Sequence, residues 1–189
     1  METAPFKIVL FGKAAVGKTS LFAWALRKPF DMHVGSTISA MFASRDFEVE
    51  GTVVKAQIWD TAGQERYASI TKSYFQDACG ALAVFDLTDP ETLETMKEKV
   101  EVFQQTARPG AVVVLVGNKT DLDRRVSEEQ GRAAATKLGV MYVETSAKQL
   151  SGVEAAFTLC ITRIAQTFTM RAMSITLDPN RPKTKAKCC

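Results

Sequence analysis

FGKAAVGKTS, residues 11–20, decides how the rest of the chain is read. Gly12 is followed by four residues and then by Gly17, Lys18 and Thr19. That is the spacing of a glycine-rich turn that opens a helix. The motif has meaning only in context, and KIVLF (Lys7–Phe11) directly before it is an apolar run of strand length. A helix is expected to begin at Gly17–Lys18. The backbone N–H groups of residues 13–20 then converge on a helix N-terminus, where they cradle phosphate oxygens. Ala14, Ala15, Val16, Gly17 and Ser20 belong to that cradle. Lys18 neutralises the outer phosphates, and the Thr19 hydroxyl is placed to ligate Mg²⁺. Ala14 and Ala15 sit side by side where the loop must approach a terminal phosphate.

Working outward, short apolar runs alternate with segments of helical pattern. KIVLF, ALAVFD (Ala81–Asp86), VVVLVG (Val112–Gly117) and VMYVET (Val140–Thr145) are near-continuously apolar. Parallel strands covered on both faces require that pattern. Strand-like runs on either side of Gly51–Thr52, between Phe47 and Trp59, suggest a hairpin and one antiparallel edge pair. A helix is expected from about Pro90 to about Gln105, with the proline in its first turn. Ser127 with Gln130, and Ser151 with Glu154, have the spacing of capping boxes. The fold class is therefore α/β: a doubly wound, mostly parallel six-stranded sheet with one antiparallel edge pair and about five helices. Ligands of such sheets bind beyond the carboxyl ends of the strands.

The bulk numbers bound the function. A chain of 189 residues, 46% hydrophobic and 24% charged, can bury one ordinary core. Its net charge of +3 is unevenly placed. Arg171–Cys189 holds five Lys/Arg against one acid, Asp178, and the preceding 170 residues hold 19 basic and 20 acidic side chains. A neutral body argues against broad nucleic-acid binding, and a basic tail suits an anionic membrane surface. Cys79 and Cys160 stand alone in apolar segments and read as buried thiols. The start lacks the pattern of a secretory signal, and the aliphatic run Ala111–Val116 is too short to span a bilayer. The division expected is one domain over residues 6–170 and a flexible tail over 171–189.

Three further motifs choose the ligand. In NKTD (Asn118–Asp121), the Asp121 carboxylate can accept from the N1–H and exocyclic amine of guanine, an arrangement adenine lacks. The stem of Lys119 can cover a ring face, and Asn118 can tie this loop to the phosphate loop. TSAK (Thr145–Lys148) closes the next strand. There the Ala147 N–H can donate to the guanine carbonyl, flanked by Ser146 and Lys148. In WDTAGQERY (Trp59–Tyr67), Asp60 can hold Mg²⁺ through water. Gly63 can offer its N–H to a γ-phosphate, and Gln64 can orient an attacking water. The Thr37 hydroxyl, in STI, can complete the magnesium shell.

GKAAVGKT, STI, WDTAGQE, NKTD and ETSAK occur in the order found in the Ras superfamily of small GTPases, which the chain resembles over roughly residues 6–168. IWDTAGQERY, SYF and the terminal Cys-Cys make it most similar to the Rab family. The resemblance implies a GTP/GDP switch in vesicle trafficking that cuts GTP slowly with Mg²⁺, with Gln64 as the catalytic residue. It implies that Phe30 lies against guanine, and that Ile38, Phe42, Trp59 and Tyr74 belong to the surface read by effectors. Trp59 also has a simpler reading, as a strand residue packed on the core. An activating protein, an exchange factor, a GDP-dissociation inhibitor and a prenylation escort are the further partners implied, for a monomer on the cytosolic face of an endosomal or Golgi membrane. Cys188 and Cys189 match the doubly geranylgeranylated Rab terminus, and two lipids anchor stably where one does not.

There are departures. Ser39 stands where the family has glycine after Thr-Ile, and His33–Val34 stand where an aromatic is usual. His33 reads as an exposed loop residue. The Ala14 methyl crowds the place where the γ-phosphate, Gln64 and an arginine finger must meet. The alternative reading is therefore a turnover-impaired, GTP-bound scaffold.

Overall fold

The computed structural model describes residues 4–31, 41–61 and 73–176. Six strands run in chain order as β1 (Phe6–Phe11), β2 (Met41–Val49), β3 (Thr52–Asp60), β4 (Gly80–Asp86), β5 (Val112–Asn118) and β6 (Met141–Thr145). They form one sheet in the order β2-β3-β1-β4-β5-β6. Only β2 and β3 pair antiparallel, joined by Glu50 and Gly51 at φ 49° and 74°. Two successive left-handed residues match the right-handed twist of a tight hairpin. The turn thus lies one residue earlier than the Gly51–Thr52 expected.

The apolar runs are explained by where their alternate residues go. Ile8 and Leu10 of β1, Leu82 and Val84 of β4, and Val114 and Val116 of β5 join Leu21, Phe22, Phe157 and Ile161 in one core. Their neighbours Val9, Phe11, Ala81, Ala83, Phe85, Val113 and Leu115 join Phe75, Val100 and Phe103 in a second core on the other face. Both faces of the central strands are dry, so both parities must be apolar. The antiparallel edge strand β2 instead alternates, with Ala43, Phe47 and Val49 buried and Phe42, Ser44, Asp46 and Glu48 exposed.

Among the described residues, five complete helices pack on the sheet: α1 (Lys18–Ala25), α2 (Pro90–Glu94), α3 (Met96–Thr106), α4 (Glu128–Leu138) and α5 (Val153–Thr176). The single helix expected over Pro90–Gln105 is divided at Thr95. There the ladder stretches to 3.4 Å on either side, and the Thr95 hydroxyl donates back to the Thr92 carbonyl at 3.0 Å. Threonine back-bonding of this kind bends helices. The capping box at Ser127 and Gln130 is formed in both directions. At α5, by contrast, Gly152 rather than Ser151 precedes the helix, and the Ser151 carbonyl accepts from the Ser146 N–H at 3.0 Å. Gly152 has φ 69°, and a Cβ there would lie 2.2 Å from the Glu144 carbonyl oxygen, so the chain can cross the end of β6 only with glycine. Helix α5 continues to Thr176, past the boundary expected at residue 170. Cys79 and Cys160 are free and buried.

Candidate functional site at the carboxyl ends of the strands

The strand order turns outward in both directions from β1 and β4, and at such a switch point a crevice opens beyond the carboxyl ends. The glycine-rich loop leaves β1 there. Gly12 has φ 153° and lies so close to β4 that a Cβ would fall 2.1 Å from the Val84 carbonyl oxygen. Ala15 follows in the left-handed region at φ 63°, and Gly17 at φ 98° leads into α1. A Cβ on Gly17 would lie 2.2 Å from Asn118 Nδ2. Gly17 at the cap brings no side chain to the first N–H groups of α1, and its first turn holds no acidic residue. A helix N-terminus without an acid of its own suits an anion. Ala14 and Ala15 are exposed and Val16 is buried under them.

Lys18 folds back over this loop, only 5% exposed, donating to the Gly12 carbonyl at 3.2 Å and the Lys13 carbonyl at 2.6 Å. Burial lowers its pKa to about 8, against a smaller opposing pull from Asp60. Thr19 Oγ1 donates to Asp60 Oδ2 at 2.7 Å. Asp60 is fully buried at the end of β3, and burial raises its pKa. Its Oδ1 has no hydrogen-bond partner among the described residues. A buried carboxylate oxygen left open beside a threonine hydroxyl fits a hard, oxygen-loving cation such as Mg²⁺. No group of three or more His, Cys, Asp or Glu placed to hold a metal ion occurs among the described residues. The fit is therefore to a cation that takes its remaining oxygens from phosphate and water, as Mg²⁺ does.

One residue joins the phosphate loop to the loops after β5 and β6. Asn118, 1% exposed at the end of β5, donates from Nδ2 to the Val16 carbonyl at 2.9 Å. Its Oδ1 accepts from Thr145 Oγ1 at 3.0 Å and from the Ala147 N–H at 3.2 Å. That amide, aimed at a guanine carbonyl by the sequence reading, is thus held by Asn118 here. Ser146 Oγ donates to Asp121 Oδ1 at 2.5 Å and accepts from the Gln149 N–H at 3.0 Å, which sets the carboxylate's orientation. Lys119, at φ 73°, reaches back to Asp86 Oδ2 at 2.5 Å. Phe30 packs half-buried against the α1 side of the core, and Lys148 is exposed beyond Ala147. Two participants escaped the sequence reading. Asp86 was only the last letter of a strand, and Thr145 only the first of TSAK. Both lie beside Asn118 in the strand register, and a register is what exposes them.

Thr37, Ile38, Gly63, Gln64, His33, Ser39, Cys188 and Cys189 lie outside the described residues. Of the aromatic surface, Phe42 is 56% exposed and stacks on Trp59 at 5.0 Å between centroids, and the Tyr74 ring lies tilted 6.2 Å from Trp59. Trp59 packs partly buried against the core, as its simpler reading expected, and Met41, beside Phe42 on β2, is also exposed. No helix among the described residues is long and apolar enough to cross a membrane.

Comparison with known proteins agrees with this geometry. Residues 7–166 match the sequence profile described as the Ras family. The chain is 42% identical over 171 residues to the Ras-related protein Rab2BV of Beta vulgaris, covering 89% of this chain and 80% of that one. It is 42% identical to the Ras-related protein RABA2a of Arabidopsis thaliana, covering 89% and 79%. A third relative is the Ras-related protein Rab11E of Lotus japonicus, 42% identical over 170 residues, covering 89% and 78%. A glycine cradle on β1, a hydroxyl–carboxylate pair at β3 and an asparagine bridge at β5 thus stand in a chain that belongs to the Rab family of small GTPases, a GTP hydrolase of the Ras type.

Proposed function

We propose that this chain is a guanine-nucleotide switch of intracellular vesicle trafficking, loaded with GTP or GDP and Mg²⁺. The observation that carries this reading is Asn118, whose single buried amide holds the phosphate loop and both base-side loops in one frame. A ligand filling that frame has phosphates at one end and a base at the other, with Asp121 turned toward the base by Ser146.

In the mechanism that follows, the N–H groups of residues 13–20 hold the phosphates, with Lys18 released from the Gly12 and Lys13 carbonyls to pair with them. Thr19 and Asp60, joined by Thr37, hold the cation, which when bound neutralises charge developing on the transferred phosphoryl group. Gln64 orients the attacking water and Gly63 donates to the γ-phosphate, so Thr37 and Gly63 move inward only with GTP. Ile38, Phe42, Trp59 and Tyr74 then offer a surface that effectors read. An activating protein, an exchange factor, a GDP-dissociation inhibitor and a prenylation escort complete the cycle. Residues beyond Thr176 form the basic tail ending in lipidated Cys188 and Cys189, which hold the domain on the cytosolic face of a membrane.

Base choice is tested by Asp121→Asn. Exchanging the acceptor carboxylate for an amide should weaken GTP roughly 100-fold or more while improving binding of xanthosine triphosphate, because a site built around hydrogen bonds rejects the ligand that cannot make them. Competition between the two nucleotides for a fluorescent analogue measures this, and unaltered GTP preference would sink the assignment. For the anchor, Cys188→Ser with Cys189→Ser should move the protein from the membrane pellet to the soluble fraction of its own cells. Persistent pelleting refutes the lipid tail.

A further inference from the structure

The Lys119 side chain has a partner that its presumed role at a base does not require. Its ammonium lies 2.5 Å from Asp86 Oδ2, and the aspartate side chain is only 9% exposed. Asp86 is prepared for this contact before the lysine arrives. It ends β4 directly beside Asn118 in the strand register. Its other oxygen, Oδ1, accepts from the Thr88 N–H at 2.8 Å and from Thr88 Oγ1 at 2.7 Å. Its own N–H donates to Thr92 Oγ1 at 2.9 Å. The loop that carries Lys119 is in turn fastened to the end of β4. Leu87 N–H donates to the Asn118 carbonyl at 3.0 Å, and Arg125 and Val126 N–H both donate to the Leu87 carbonyl.

Lysine is a long chain that gives up much rotamer freedom when it is held still. A lysine whose stem serves as the wall of a base pocket would have to lose that freedom when the base binds. Here the loss is already taken, because both ends of the side chain are tethered. The backbone is set in the left-handed region, and the ammonium is held by a carboxylate whose position is fixed on the sheet. Since Oδ1 is committed to Thr88, Oδ2 is the oxygen left to face a cation.

We infer that Asp86 is a positioning residue for base recognition, anchoring the Lys119 ammonium so that the lysine's methylene stem is pre-set as a rigid wall of the nucleobase pocket. This rests on reading NKTD as the guanine site. It assigns part of the guanine affinity to a residue on a different strand, outside every nucleotide motif.

The test uses the full chain loaded with a fluorescent GDP, chased with excess unlabelled GDP at fixed Mg²⁺. Asp86→Asn keeps the size and an acceptor for Thr88 but removes the charge that fixes the ammonium. Lys119→Met keeps a stem of similar length without the ammonium. Each single variant is expected to release nucleotide about ten-fold faster, and the double variant no faster than either, since both changes undo the same tether. Release within two-fold of the parent in Asp86→Asn overturns the inference. So do effects that multiply in the double variant, because Asp86 would then act through the Thr88 turn. Should Asp86→Asn not fold, Lys119→Met alone decides, and unchanged release from it is again fatal. A parent that retains no GDP at all would sink the guanine reading together with this one, whereas a parent that retains GDP beside unaffected variants sinks only the tether.

Discussion

Asn118→Ala should release bound guanine nucleotide roughly 100-fold faster than the parent, or more, and lower the melting temperature by roughly 10 °C. The side chain is buried and makes three hydrogen bonds, to the Val16 carbonyl, the Thr145 hydroxyl and the Ala147 N–H. Each is worth about 1 kcal/mol net, and each partner left buried and unsatisfied costs about 1–3 kcal/mol more. Water entering the space freed by the truncation recovers part of this. A loss of about 3–5 kcal/mol remains, against a total stability of about 5–15 kcal/mol for a domain. Nucleotide affinity falls with it, since the phosphate loop and the base loops lose their common frame. Thr145→Val is the matched comparison, because it removes only one of the three bonds and should cost about 1 kcal/mol. Stopped-flow release and thermal melting of both variants decide the matter. If Asn118→Ala releases no faster than Thr145→Val, the bridge is not what unites the site.

The prominence of Asn118 shows what a linear reading finds and what it misses. The parallel strands were legible because a doubly covered sheet demands apolar residues at both parities, and Ile8, Val9, Leu10 and Phe11 supply four in succession. The hairpin was legible from local turn chemistry, though displaced by one residue, because Glu50 shares the left-handed turn with Gly51. The division of α2 from α3 was hidden. It depends on Thr95 bonding backward, which competes with a helical pattern that is otherwise unbroken. Asp86 was hidden for a different reason. Its partner lies thirty-three positions later in the chain, and only the β4–β5 register brings the two together. Lys13 shows the same limit, since it pairs with Glu91 at the start of α2, at the rim of the phosphate loop. Motifs reveal groups that must lie near a ligand. Groups that hold those groups in place appear only when strands are laid side by side.

Gly12→Ala should be the most damaging single-methyl change in the phosphate loop, and its cost should be structural before it is functional. The added Cβ would lie 2.1 Å from the carbonyl oxygen of Val84 and 3.2 Å from Val16 Cγ2. The first of these belongs to the backbone of a central strand, paired on both sides, and cannot turn aside as a side chain would. The positive φ adds strain of about 1–2 kcal/mol for any residue with a Cβ. Relief requires that β1 and β4 part at their carboxyl ends, where the phosphate loop and Asp86 both begin. A total loss of more than about 3 kcal/mol is expected, enough to lower the melting temperature by roughly 10 °C or leave the protein insoluble. Gly51→Ala provides the calibration. Gly51 also has positive φ, 74°, but nothing lies within 4 Å of a Cβ built there, so only the backbone term of about 1–2 kcal/mol should appear. The difference between the two variants in urea unfolding isolates the collision with Val84. Equal losses would mean that the loop and β4 can separate freely, and that the close passage of Gly12 over the strand is not what shapes the phosphate cradle.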